Sequence, residues 1–120
     1  MKNSLFILVF ILNCINIFAD SDYYIRQAES YQRDAVYYTK KAEGYDREAE
    51  YYNKKAQGYL REAEYYSKNK KYDKVSTYTN WAKDASEKAQ LQMRWANEAR
   101  ENARLRMRWA QEAMEKARRQ

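Results

Sequence analysis

Residues Ala42 to Lys68 read AEGYDREAEYYNKKAQGYLREAEYYSK, and the second half of this segment nearly repeats the first. Alanine recurs at every seventh position, and a tyrosine follows each alanine at the third position after it. Alternating steps of three and four define a heptad repeat, here with alanine at position a and tyrosine at position d. The segment therefore predicts a long helix that packs along one face.

The same pattern continues beyond this segment towards the N terminus. Position a is occupied by Ala28, Ala35, Ala42, Ala49, Ala56 and Ala63, and position d by Tyr24, Tyr31, Tyr38, Tyr45, Tyr52, Tyr59 and Tyr66. A strict heptad period predicts a left-handed supercoil. Glutamate at b precedes a base at f by one helical turn, the favoured order for ion pairs on a solvated helix face. These pairs are Glu29–Arg33, Glu43–Arg47, Glu50–Lys54 and Glu64–Lys68.

The second half of the chain carries a heptad of different composition. Alanine again occupies position a, at Ala82, Ala89, Ala96, Ala103, Ala110 and Ala117. Trp81, Trp95 and Trp109 fall at g in every second heptad. Alanines also stand at d, and methionines at e, so the apolar arc is wider than the seam of a two-stranded coil. We expect this helix to contact more than one neighbour.

The two heptads are out of phase across the stretch SKNKKYDK, residues Ser67 to Lys74. Asn69 is a candidate C-cap and Asp73 a candidate N-cap. We predict an all-α fold, a long antiparallel helical hairpin that self-associates, because two arms of equal length are joined by a short turn. The first helix is expected at about residues 21–68, the turn at about 69–72 and the second helix at about 73–119. One continuous helix is the alternative, since neither glycine nor proline stands in the turn.

The first nineteen residues, MKNSLFILVFILNCINIFA, differ from the rest in being apolar. Lys2 supplies a positive start and Ala19 a small residue at a plausible cleavage point, so residues 1–19 are predicted to be a secretory signal peptide. A membrane anchor is the alternative, but the apolar run is short for a span of roughly twenty residues. Cleavage would remove the only cysteine and lower the net charge from +6 to +5 by loss of Lys2. The mature chain, from residue 20 to 120, is expected to be secreted, passing through secretory granules to an extracellular matrix.

The composition bears on which chemistry the chain can perform. It contains no histidine, and no glycine-rich phosphate loop or apolar cluster of carboxylates is present in the sequence. We therefore predict no catalytic residues, no cofactor, no metal site and no enzymatic activity. Basic residues alternate with acidic ones on the same helix faces, which dilutes the positive field that a nucleic-acid partner needs. We expect no nucleic-acid partner, and no membrane partner after signal cleavage.

Eleven of the 13 tyrosines fall into two groups, seven at position d and four at position c. The d-position rings are expected to form the core, with their hydroxyls at its rim. A second group, Tyr23, Tyr37, Tyr51 and Tyr65, lies on the flank at position c. Lysine stands three positions after the last three of these, at Lys40, Lys54 and Lys68, which places amine and phenol side by side on a helix. Oxidation of phenols to catechols and o-quinones would let such amines form covalent bonds, in a secreted chain that has no mature cysteine for disulfides.

The doublets YYTKK, YYNKK and YYSKN, the turn NKKYDK and the blocks WAKDA, WANEA and WAQEA resemble the trematode eggshell synthesis proteins, also called vitelline protein B. The likeness covers the mature chain, although glycine- or histidine-rich stretches expected of some eggshell precursors are missing. It implies a secreted structural precursor whose tyrosines become DOPA and cross-link into a hardened eggshell. The DOPA candidates that it implies are the doublets Tyr23, Tyr24, Tyr37, Tyr38, Tyr51, Tyr52, Tyr65 and Tyr66.

Tyr72 in the turn is a further candidate for oxidation, with Lys40, Lys54 and Lys68 as candidate amine partners. The expected partners of the protein are other copies of itself, other matrix or eggshell proteins, and a tyrosinase or phenol oxidase that modifies it. Two alternatives remain open. One is a secreted coiled-coil filament or scaffold without cross-links, and the other is a basic amphipathic helix on a membrane surface.

Overall fold

The structure, a computed structural model, describes the backbone of residues 2–120 and the side chains of residues 20–120. The predicted signal peptide, residues 1–19, lies outside the part described with side chains. Two helices account for the described backbone, α1 at Lys2–Lys68 and α2 at Tyr72–Arg119, and there is no strand within it. The predicted all-α helical hairpin is thereby confirmed. Helix α1 begins nearer the N terminus than the expected residue 21, and α2 begins one residue before the expected Asp73.

A short turn, residues 69–71, separates the two helices, and its hydrogen bonds explain how α1 ends. The Lys71 amide donates to the Tyr66 carbonyl (3.0 Å) and the Lys70 amide to the Ser67 carbonyl (3.1 Å). This is the Schellman pair of bonds, with Lys70 in the left-handed conformation (φ 59°). Asn69 occupies the C-cap position, and its side-chain amide donates to the Tyr65 carbonyl at 2.8 Å.

Helix α2 begins differently from the expectation that Asp73 caps it. The Lys71 carbonyl accepts bonds from the amides of Lys74 (3.1 Å) and Val75 (3.2 Å), so Lys71 holds the N-cap position. The Schellman turn orients Lys71 so that its carbonyl can accept the first hydrogen bonds of α2. Asp73 therefore lies inside the first turn of α2, where its negative charge is favoured by the positive end of the helix dipole.

The chain divides into two units. The terminal unit comprises residues 1–37 and 102–120, and the turn unit comprises residues 38–101. Within the terminal unit, the hydroxyl of Ser21 donates to the carbonyl of Ala117 (3.4 Å) and Tyr31 lies beside Trp109, so the two helical segments run antiparallel. Within the turn unit, the same orientation follows from the turn itself and from the neighbouring rings of Tyr45 and Trp95.

In the part of the chain that has described side chains, every buried residue is an alanine. They occupy the a positions from 28 to 63 in α1 and from 82 to 117 in α2, together with three d positions of α2: Ala28, Ala35, Ala42, Ala49, Ala56, Ala63, Ala82, Ala85, Ala89, Ala96, Ala99, Ala103, Ala110, Ala113 and Ala117. Small side chains allow two helix backbones to approach closely. We call this set the alanine seam.

The d-position tyrosines of α1 lie beside the alanine seam and are half-buried, so the expectation that they form the core is only partly met. Tyr31 illustrates the arrangement, since it packs against the buried cluster of Ala28, Ala110 and Ala113 in the terminal unit. A phenol ring cannot enter between backbones that alanine has brought together. It lies along the edge instead, with its hydroxyl near water.

Candidate functional site

In each unit, the d-position tyrosines of α1 face the g positions of α2 according to one register. The residue numbers of facing partners add up to 140. Three tyrosine–tryptophan pairs follow this register with nearly the same geometry, their ring centroids 5.6–5.7 Å apart and their planes inclined by 57–64°. They are Tyr31–Trp109 in the terminal unit and Tyr45–Trp95 and Tyr59–Trp81 in the turn unit. Tilted and edge-to-face rings at this distance attract one another.

The same register pairs other d-position tyrosines with lysines at g. In the terminal unit, the Lys116 amine lies 5.8 Å from the centre of the Tyr24 ring. In the turn unit, Lys88 lies 5.7 Å from Tyr52 and Lys74 lies 5.0 Å from Tyr66. A cation over a phenol face is a stabilising contact. Within each unit, tyrosine–tryptophan and tyrosine–lysine pairs thus alternate from one heptad to the next.

Position c of α1 follows this alternation. A small residue precedes each tyrosine that pairs with tryptophan, namely Ser30, Gly44 and Gly58. A tyrosine precedes each tyrosine that pairs with lysine, and the two consecutive rings meet edge to face at 5.2–5.3 Å, in Tyr23–Tyr24, Tyr51–Tyr52 and Tyr65–Tyr66. Tyr23, Tyr37, Tyr51 and Tyr65, the flank tyrosines, are 51–61% exposed. Tyr72, the first residue of α2, is exposed as well.

The structure places the three candidate amines on the surface of α1, but two of them are engaged with acids. Lys54 pairs with Glu50 at 3.0 Å and Lys68 with Glu64 at 3.3 Å, as the i,i+4 spacing indicates. Such exposed pairs contribute well under about 1 kcal/mol and open readily. Lys40 is exposed.

The amine that lies over a flank tyrosine is instead Lys55, 5.2 Å from the centre of the Tyr51 ring. Its side-chain hydrogen bond with Tyr51, reinforced by the partial charge of that phenol, raises the pKa of Lys55. The sequence pattern alone did not indicate Lys55 or the g-position lysines Lys74, Lys88 and Lys116. Lys74, Lys88 and Lys116 would have been found by pairing the g positions of α2, taken in reverse order, with the d positions of α1.

Aromatic side chains gather near the turn. The rings of Tyr66 and Tyr78 stack at 5.4 Å with an angle of 16°, and Tyr78 also meets Trp81 at 5.1 Å and Tyr59 at 6.3 Å. Removal from water, followed by the influence of the neighbouring Tyr66, raises the pKa of Tyr78. The phenol of Tyr78 is therefore held in its protonated form to a higher pH than an isolated tyrosine.

The opposite edge of the turn unit, formed by the e positions, has a different character. Asp46 of α1 and Arg100 of α2 form an ion pair between the helices there. Thr79, Ser86 and the exposed Met93 occupy other e positions of α2 in this unit. The aromatic rings and the lysines that face them are thus concentrated on the edge formed by the d and g positions.

No group of residues with described side chains brings together three or more potential metal ligands. Within the same part of the chain, none of the helices combines the length and the apolar character needed to cross a bilayer. Comparisons with known proteins found no matching family model, no matching curated protein and no matching solved structure. Inferences about function therefore depend on the side chains themselves, which offer exposed phenols beside primary amines.

Proposed function

We propose that this protein is a secreted structural precursor, of the eggshell kind, that is hardened by oxidation of tyrosine to DOPA and by cross-linking of the resulting quinones to lysine. The observation that carries the proposal is the placement of the flank tyrosines. Each of them is more than half exposed, and Tyr51 lies directly under the amine of Lys55. An oxidase can reach such phenols without unfolding the helices.

The chemistry requires a tyrosinase-type copper oxidase and dioxygen as the oxidant. One phenol and one O₂ give one o-quinone and one water, so the ring loses four electrons to dioxygen by way of the catechol. A deprotonated lysine amine then attacks a ring carbon of the quinone, forming a C–N bond. The proton lost from nitrogen and that lost from the attacked carbon convert the two quinone oxygens back to the hydroxyls of a catechol.

Differences in exposure give an order in which the tyrosines should react. The flank tyrosines and Tyr72 are exposed and should react first. The d-position tyrosines, half-buried against tryptophan or lysine partners, should react only after local opening of the helix pair. Helix packing would therefore arrange the chains before covalent bonds join them.

Limited treatment of the secreted protein with tyrosinase, followed by peptide mapping, tests this order. We expect the mass increase of one oxygen atom to appear at the flank tyrosines and Tyr72 before it appears at Tyr31, Tyr45 or Tyr59. A Tyr51→Phe variant provides the matched control, because it keeps the ring and removes the phenol. Equal labelling of flank and d-position tyrosines from the earliest time point would contradict the predicted order.

Material from the native tissue tests the biological side of the proposal. Acid hydrolysis and amino-acid analysis should detect DOPA, and mass spectrometry should detect lysine-linked catechols. If the tyrosines are unmodified throughout, the second candidate stands, a coiled-coil filament or scaffold without cross-links. The alanine seam and the exposed tryptophans favour that candidate, because they support helix packing and association without any oxidation.

A further inference from the structure

The edge formed by the d and g positions, which we call the aromatic edge, carries two tyrosines that face each other beside the turn. Tyr66 of α1 and Tyr78 of α2 both belong to the turn unit, and each occupies position d of its own heptad. From position 85 to position 113, the d positions of α2 hold alanine, glutamine or arginine. Tyr78 therefore brings a phenol to a place where the later heptads of α2 have none.

The rings of Tyr66 and Tyr78 are stacked nearly parallel. Their planes differ by 16° and their centroids are 5.4 Å apart, whereas the other ring pairs described above are inclined by 42–79°. Removal from water is the main cause of the raised pKa of Tyr78, and a hydrogen bond with the phenol of Tyr66 also contributes to it. Because parallel rings are joined by a hydrogen bond at their hydroxyl ends, the ring carbons next to the two hydroxyls lie side by side.

These carbons are the positions at which two phenols couple after one-electron oxidation. We propose that Tyr66 and Tyr78 form a dityrosine cross-link within one chain when a haem peroxidase and hydrogen peroxide supply the oxidant. One H₂O₂ takes an electron and a proton from each hydroxyl, which gives two phenoxyl radicals and two molecules of water. The unpaired electrons form a bond between the two ring carbons, and the hydrogen on each carbon then moves to the neighbouring oxygen as a proton. Both hydroxyls are thereby restored, and the chain has lost two hydrogen atoms.

The class of oxidant decides which neighbour Tyr66 joins. Both rings are half-buried, and insertion of oxygen by a copper oxidase requires a phenol to enter the active site of that enzyme. Loss of an electron has no such requirement, because an electron can leave through the part of the ring that remains at the surface. If Tyr66 is instead converted to a quinone, the nearest amine is that of Lys74, 5.0 Å from its ring centre. The dityrosine link needs neither DOPA nor lysine, so it goes beyond the proposed hardening and does not depend on it.

A bond between Tyr66 and Tyr78 would join α1 to α2 across the turn. Closing this loop lowers the conformational entropy of the unfolded chain and so stabilises the hairpin. It also keeps both arms of the turn unit in one chain, because an arm tied in this way cannot be exchanged with that of a second copy. The cross-linked protein should therefore unfold at a higher urea concentration than the untreated protein.

Treatment of the dilute secreted protein with a haem peroxidase and hydrogen peroxide, in the absence of tyrosinase, tests the proposal. Cleavage after lysine and arginine leaves Tyr66 in the peptide of residues 62–68 and Tyr78 in the peptide of residues 75–83. We expect mass spectrometry to find these two peptides joined with the loss of two hydrogen atoms, as the most abundant cross-linked pair. When isotopically heavy and ordinary chains are unfolded and refolded together before treatment, the link should join heavy to heavy or ordinary to ordinary, and not heavy to ordinary.

Three single variants identify the phenols that couple. Tyr78→Phe keeps the stacked ring and removes the hydroxyl, so the dityrosine recovered by acid hydrolysis should fall by more than half. The matched control is Tyr72→Phe, which removes an exposed phenol from the same end of the turn unit and should leave the yield unchanged. Tyr65→Phe should keep the joined peptides, because Tyr66 is then the remaining tyrosine of residues 62–68. Circular dichroism of each variant verifies that the helices are intact.

Several results would overturn the proposal: no dityrosine after treatment, dityrosine that joins other peptides in greater amount, or a yield that Tyr78→Phe leaves unchanged. Links between heavy and ordinary chains would show that the bond forms between copies and not within one. The outcome is separate from that of the proposed function. A protein that forms this link in vitro but carries no DOPA in its native tissue would refute the hardening alone, whereas native DOPA without the link in treated protein would refute this inference alone.

Discussion

The alanine seam and the aromatic edge beside it follow different periods. The seam has alanine at every a position from Ala28 to Ala63, with no departure from the single heptad. The aromatic edge alternates tryptophan with lysine, and flank tyrosine with a small residue, so its true repeat is two heptads. The one-heptad period thus specifies how close the two helices come, while the two-heptad period specifies the surface that they present.

Enlarging a residue of the seam should have the greatest effect on stability. Ala96 is fully buried, and a leucine there would push the helices of the turn unit apart or twist its own side chain from a favoured rotamer. Overpacking of this kind costs about 3 kcal/mol at its upper range. Urea unfolding of Ala96→Leu, followed by circular dichroism at low protein concentration, should show a correspondingly lower midpoint.

Gln90→Leu is the matched control for this substitution, because Gln90 is exposed on the same helix. Its unfolding midpoint should change little. If Ala96→Leu unfolds at the same urea concentration as the control, the alanine seam is not closely packed. The seam would then not determine how close the two helices come, contrary to the comparison with the aromatic edge.

Removing a ring from the aromatic edge should have the next largest effect. Tyr59 is half-buried and contacts both Tyr78 and Trp81, so Tyr59→Ser loses buried apolar area and two ring contacts. The expected loss in free energy of unfolding is about 2 kcal/mol. Tyr51→Ser, which removes an exposed flank ring, should cost less than about 0.5 kcal/mol. Equal losses in the two variants would show that burial does not distinguish d-position from flank tyrosines.

The sequence alone predicts the seam almost completely, because heptad spacing and alanine content determine which face of each helix is buried. It does not predict how deep the tyrosines lie. The pattern assigns them to position d, but the closeness of the alanines on the facing helix decides that Tyr31 and its counterparts lie at the edge. The sequence likewise indicates only some of the residues of the candidate site, because the others depend on contacts between the two helices. The flank tyrosines follow from position c, whereas Lys88 and Lys116 depend on the register of α2 against α1.

Gln92, which is half-buried beside the alanine seam, provides a third test. It occupies position d of α2 between Ala85 and Ala99, and its side-chain oxygen Oε1 is the one buried side-chain nitrogen or oxygen in the described part of the chain that lacks a hydrogen-bond partner. A buried acceptor without a partner costs about 1 kcal/mol or more. Gln92→Met keeps the length of the side chain and removes this acceptor, so it should raise the thermal midpoint. Gln90→Met, on the exposed face, should leave it unchanged.

Gly58 tests whether the two-heptad period serves stability or the surface. A methyl group built on Gly58 would meet only a terminal guanidinium nitrogen of Arg61, at the ordinary contact distance of 3.9 Å. Since glycine inside a helix is less stable than alanine by about 0.5–1 kcal/mol, Gly58→Ala should stabilise the fold by that amount. Gly44→Ala should do the same, because the atom nearest to it is likewise a guanidinium nitrogen, of Arg47 at 3.8 Å. A loss of stability in either variant would mean that the fold itself requires glycine at that c position.

The smallest expected effect is the response of the aromatic edge to alkaline pH. Because burial among rings raises the pKa of Tyr78 above its usual 10.0, the folded protein holds this proton where the unfolded chain releases it. The contribution of Tyr78 to stability is therefore constant below a pH of about 10 and declines as pH rises through that value. The raised pKa of Lys55 acts in the same direction, since its ammonium form is favoured in the folded state.

Difference titrations isolate the contribution of Tyr78 from that of the other phenols. Phenolate absorbance of the unmodified protein minus that of Tyr78→Phe should give a step at higher pH than the same difference measured in urea. Tyr72→Phe, which removes an exposed phenol from the same end of the turn unit, controls for the loss of one hydroxyl group. Coincident steps in the folded and unfolded proteins would place Tyr78 in contact with water, and the ring cluster around it would then be open.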